Sequence, residues 1–106
     1  MFQYGILSLY NGKIEQGLEA FDAALEHAEG HVRHLSLYYK ASALAHSGDK
    51  SAAGEVFSEL LKSEGLDSKL EKAATRALKK TKSWRAFPLK KKQLKLMMQV
   101  TDVTEY

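Results

Sequence analysis

Four glycines, Gly12, Gly30, Gly48 and Gly65, stand 18, 18 and 17 residues apart and cut the first part of a 106-residue chain into blocks of one helix length each. Glycine accepts the left-handed backbone that ends a helix or turns a chain, so this spacing predicts helices joined by tight turns. In the block after Gly12, the residues Ile14, Leu18, Phe21, Leu25 and Ala28 recur at three- and four-residue steps, while Glu15, Glu19, Asp22, Glu26 and Glu29 keep the same period on the other side. That is the pattern of an amphipathic helix with a solvated acidic face. Farther on, Ser68 and Glu71 have the spacing of a capping box that opens a helix. Five helices follow, at about 1–10, 13–29, 32–47, 50–64 and 68–82, and the expected fold class is all-α.

Sliding the chain against itself by 36 residues puts Gly12 on Gly48, Glu19 on Glu55, Phe21 on Phe57 and Leu25 on Leu61 without a gap. A repeated helix–turn–helix near this length predicts an α-solenoid of antiparallel helix pairs, each burying its apolar face by stacking on the next. The residues at the turns and packing points carry a likeness. Gly12, Gly17, Phe21 and Ala24 supply a turn glycine, a small residue, an aromatic and an alanine in order, with Gly5 as the small residue of the helix before. Gly48, Asp49, Ala53 and Phe57 repeat the order, with Ala41 upstream.

In these residues the chain resembles the tetratricopeptide repeat family over about residues 1–65, with 66–82 as the opening helix of a third unit. The resemblance implies about two repeats with C-terminal capping helices, and a groove lined by the opening helix of each unit. Carried over residue by residue, that groove takes Phe2, Ile6 and Leu9 from the first helix and Tyr38, Ser42, Ala45 and His46 from the third. It implies a non-catalytic adaptor or scaffold that binds a peptide or helix of a partner protein. Relatives that clamp a chaperone's C-terminal carboxylate have Lys and Asn where this chain has Phe2, Ile6 and Tyr39, so that clamp is not carried over.

Charge divides the chain. Residues 1–61 carry a net −4, residues 62–95 a net +9 and residues 96–106 a net −2. The basic part points to a partner of acidic character. On helix 68–82, Leu70, Ala73, Ala74, Ala77 and Leu78 form a packing side, and Lys69, Lys72, Arg76, Lys79 and Lys80 a basic stripe turned to solvent or groove. Lys72, Arg76 and Lys79 join the candidate binding residues. Nucleic-acid binding by this half is the alternative function, with Trp84 and Phe87 as stacking surfaces beside phosphate-neutralising charge.

The boundary is drawn at a helical domain 1–82 and a tail 83–106. Phe87 precedes Pro88 and is pushed toward extended geometry, so a link interrupts the helices there. Trp84 and Phe87 either close the end of the solenoid or anchor a partner. Beyond it, Leu89, Leu94, Met97, Met98 and Val100 among Lys90, Lys91, Lys92 and Lys95 predict a sixth, amphipathic helix. It either folds back as a cap or pairs with a second copy. Because Phe2, Ile6 and Leu9 lack an upstream neighbour, a homodimer is expected from the shortage of cover.

The sequence excludes much chemistry. With no cysteine, there is neither thiolate metal site nor disulfide, and a reducing compartment is the simpler assumption. The spacing of His27, His31 and His34 is broken by Gly30, so they do not share one helical face. Ser42 and His46 near Tyr38 lack the buried carboxylate a triad requires. Neither a phosphate-binding glycine loop nor a metalloprotease HExxH is present. The expectation is no enzyme, no cofactor and no metal. The first ten residues lack a basic leader and cleavage site, and no apolar run reaches the roughly 18 residues of a membrane span. A soluble, cytoplasmic chain with no membrane partner is expected.

Overall fold

A computed structural model describes the backbone of residues 1–83 and 85–104, and the side chains of residues 1–83 and 85–98. Among the described residues the chain is all-helical, with no strand: α1 (Phe2–Tyr10), α2 (Ile14–Leu25), α3 (Gly30–His46), α4 (Lys50–Leu61), α5 (Ser68–Thr81) and α6 (Lys91–Thr104). None of these is long and apolar enough to cross a membrane.

The four glycines picked out by spacing have positive φ, +77° at Gly12 and +103° at Gly48 among them. At these two turns the chain reverses within three residues, which an L side chain resists. The helix ends differ from expectation in three places. α2 stops at Leu25 rather than 29, because the amides of Glu26 and His27 bond back three residues to Ala23 and Ala24, tightening the last turn. α4 ends at Leu61 rather than 64, and α3 begins at Gly30 itself rather than at 32. The opening of α5 is capped by Asp67 rather than Ser68: Asp67 Oδ2 accepts from the amides of Lys69 and Leu70 at 3.1 and 3.2 Å. A carboxylate placed one residue earlier satisfies two of the helix's free amides at once, and Ser68 becomes its first helical residue. Asp49 caps α4 in the same way, through the amide of Ala52 at 3.2 Å.

The amphipathic patterns fold as written. The acidic residues of α2 and the basic stripe of α5 are exposed, and Phe21, Ala24, Leu70, Ala74 and Ala77 are buried. Each of the first four helices packs on the next in sequence, and α6 turns back onto α1. Two apolar clusters result. One joins Phe2, Ile6, Leu9, Phe21, Tyr39, Ala43 and Leu94. The other joins Leu37, Ala41, Ala45, Ala53, Phe57, Leu60, Ala74 and Phe87. Phe21 and Phe57, the aromatics matched by the 36-residue shift, are each fully buried, one in each cluster.

Small residues let α1 and α2 close on one another. A Cβ on Gly5 would stand 2.6 Å from the Phe21 ring, and one on Gly17 would stand 2.8 Å from Leu9 Cδ2. α1 and α2 therefore approach closely because two glycines leave the room, at some cost in helix propensity.

Candidate binding face and cavity

α1, α3 and α5 lie in contact in that order, and α6 packs on α1 and reaches α3 through its side chains, with cavities between it and α5. Leu94 is its anchor, 1% exposed within the cluster of Phe2, Ile6, Leu9 and Tyr39. Leu89, Met97 and Met98 pack around it, half-buried. Lys91 Nζ stands 5.7 Å from the centre of the Tyr10 ring, a cation–π contact between α6 and α1. Gln93 bonds the Tyr39 side chain.

The link 82–90 is pinned by its backbone. Lys50 Nζ donates to the carbonyls of Ser83 and Arg85. His46 Nδ1 lies 2.7 Å from the Phe87 carbonyl. A carbonyl only accepts, so the imidazole proton sits on Nδ1 in this contact. Phe87 itself is buried, with its ring 6.3 Å from that of Phe57. It closes the second cluster and offers no stacking surface. Trp84, the other expected aromatic, lies outside the described residues.

The expected groove residues thus divide. Phe2, Ile6 and Leu9, read as lining an open groove, are buried at 6%, 0% and 3% exposure. The face they line is filled by α6 of the same chain, so the shortage of cover from which a homodimer was expected does not arise there. Ala45, also expected in the groove, is instead packed against α4 in the second cluster, because a methyl group facing a neighbouring helix is what allows close approach. Ser42 is buried, and its Oγ donates to the Tyr38 carbonyl at 2.9 Å. Tyr38 is half-buried between Tyr39 and Phe57, at ring distances of 5.1 and 5.8 Å. Burial raises its hydroxyl pKa, partly offset by Ser42. Burial, with Tyr38 adding to it, raises that of Tyr39 well above the usual phenol value, and the Gln93 bond offsets part. His46 is exposed apart from its link bond.

Lys72, Arg76 and Lys79 are all exposed, but they do not act as one group. Arg76, with Lys80 one turn on, borders a cavity of about 170 Å³ between α3, α5 and the start of α6. Tyr38, Tyr39, Ser42, Lys90 and Gln93 complete its polar lining. Lys72 and Lys79 lie outside it. A second space of about 210 Å³, between the same three helices, has Asp67 beside Lys69 and His31. Sequence reasoning missed Lys50 as a partner of the link carbonyls, and Lys90 and Gln93 as residues that share a cavity with α3 and α5. Lys50 and the two carbonyls it meets stand 33 and 35 residues apart, and no local spacing signals such a contact.

Among the described residues no group of three His, Asp or Glu side chains is placed to hold a metal ion. His34 is buried and His31 exposed, although both are on α3. Comparison of the chain with protein-family models, with curated proteins and with solved structures found no match.

Proposed function

We propose that the chain is a non-catalytic interaction module of the tetratricopeptide kind, a short solenoid of antiparallel helix pairs whose α1/α3/α5 face takes up a helix of a partner protein. One observation carries the reading: the α1/α3 part of that face already accommodates a helix, α6, through the fully buried Leu94. With Met97 and Met98 it gives the i, i+3, i+4 anchors by which helices seat in apolar grooves. A partner helix would present the same three anchors. The surplus of exposed lysines on α5 and at the start of α6 favours acidic flanks on it.

The test uses the full chain and its own tail as probe. Leu94→Asp places a charge at the buried anchor, which dislodges α6 and bares the face. A synthetic peptide of residues 89–106 then binds the variant with one-to-one stoichiometry in calorimetry, and does not bind the wild-type chain, whose face is filled. Replacing Met97 and Met98 by Ala in the peptide weakens binding by about 1–3 kcal/mol. A peptide that binds neither protein refutes the reading.

Nucleic-acid binding is the second reading, and the exposure of Lys69, Lys72, Arg76, Lys79, Lys80 and Lys82 favours it. The burial of Phe87 removes one of its stacking surfaces. Binding through phosphates would weaken steeply with salt, and helix capture by apolar anchors would not.

A further inference from the structure

The cavity of about 170 Å³ has a one-sided charge. Its cationic lining comes from two separate segments, Arg76 and Lys80 from α5 and Lys90 from the residue before α6. It has no carboxylate in its lining, and none of the three cations is ion-paired with a described residue. Two neutral side chains that donate hydrogen bonds, those of Tyr38 and Gln93, reach the same space from α3 and α6. Three like charges around one cavity repel one another. The neighbouring cavity of about 210 Å³ lacks this imbalance, since Asp67 lines it beside Lys69.

We infer that this cavity binds a phosphate-class dianion, with Arg76, Lys80 and Lys90 as its charge partners, and that the bound anion clasps the start of α6 to α5. The number of cations selects a multiply charged guest. A planar guanidinium with two ammonium groups matches a tetrahedral oxyanion, which takes one two-pronged contact and two point-charge contacts. The volume holds several waters, enough for one such group. Because the partners lie on both sides of the junction, the anion replaces repulsion by attraction between α5 and the start of α6, which face one another across the cavity. The site needs α6 seated, since Lys90 and Gln93 line it, but it does not require that a partner helix exists.

Inorganic phosphate at constant ionic strength is the probe, titrated into the full chain. The expected result is a saturable rise in melting temperature, with amide resonance shifts confined to residues near 76–80 and 88–94. Arg76→Gln and Lys90→Gln each lower phosphate affinity tenfold or more, whereas Lys72→Gln, on the same stripe outside the cavity, leaves it unchanged. Lys80→Gln serves as a further variant should either of the first two melt early without phosphate. Saturating phosphate also slows protease cleavage of the link 83–90. A rise that never saturates and is equal in all variants is a general salt effect and overturns the site. Equal saturation by acetate overturns the phosphate class. A single-stranded oligonucleotide that binds through Arg76 and Lys90, with no response to phosphate, overturns the proposal in favour of nucleic acid. An unchanged cleavage rate at saturation overturns the clasp.

Discussion

The Tyr38 ring meets that of Phe57 edge-on, with centroids 5.8 Å apart, and Tyr38 packs against both apolar clusters. It joins the two cores. Tyr38→Ala is therefore expected to lower stability by about 2–4 kcal/mol, from two lost ring contacts and the space left behind. Tyr38→Phe keeps the ring and stays within about 1 kcal/mol of wild type. Urea midpoints of the two variants check this. Equal midpoints for Tyr38→Ala and wild type would mean the ring joins nothing.

Two helical glycines respond to alanine with opposite sign. Gly5→Ala drives a methyl group against the buried Phe21 ring, 2.6 Å away, and costs about 1–3 kcal/mol. Gly54, within α4, has nothing nearer than Leu78 and Thr81 at 3.8 Å. Alanine there improves helix propensity without a clash, and Gly54→Ala stabilises by about 0.5–1 kcal/mol. Thermal melts of the pair test it.

Gly48 has open space around its missing side chain, so substitution acts on the backbone alone. At φ +103°, Gly48→Val costs about 1–2 kcal/mol or more in strain. Gly12→Asn, at φ +77°, costs less than Gly12→Val because asparagine visits left-handed geometry more readily. Denaturation midpoints unchanged in both valine variants would refute the turn assignment.

Tyr39 gives the molecule an alkaline weakness. Its phenol ionises above the usual value of 10.0 in the folded chain, chiefly through burial. Below that value both states keep the proton and stability is full. Above it the unfolded chain releases a proton that the folded chain retains, so stability falls by up to about 1.4 kcal/mol per pH unit. Tyr38 acts in the same direction. Tyr39→Phe is expected to flatten the loss between about pH 10 and 11, read from urea midpoints beside wild type. Parallel curves would refute it.

The helices and their turns were legible because their signals are local. Glycine spacing marked the turns, and three- and four-residue periods marked which side of α2 and α5 is buried. Gly5 and Phe21 were each marked by the resemblance, one as a small residue and one as an aromatic, but their pairing came only with the fold. What the sequence hid was the destination of the tail. Leu94, Met97 and Met98 say that the last helix needs apolar cover, but both a second copy and the first helix offer it, and the choice depends on the path of the link. That path is set by contacts of Lys50 and His46 with main-chain carbonyls, which any residue supplies and no pattern announces. The candidate residues failed where they assumed an open groove. Phe2, Ile6 and Leu9 stand on the inner side of the first helix, buried rather than open, and the sequence leaves their cover undecided between the folded-back tail and a second copy.

The meeting of α6 with α1 changes how such a chain comes apart. A row of helices held only by neighbours in sequence frays from its ends, and its terminal amides exchange first. Here the first and last helices guard one another through Leu94, so neither opens without exposing the other. Loss of this long-range contact makes opening gradual, and its presence makes it concerted. It also slows folding, since the chain must close its longest loop before Leu94 finds Ile6 and Phe21. Hydrogen exchange then protects α1 and α6 to the same degree, and the Leu94→Asp variant loses protection in both together.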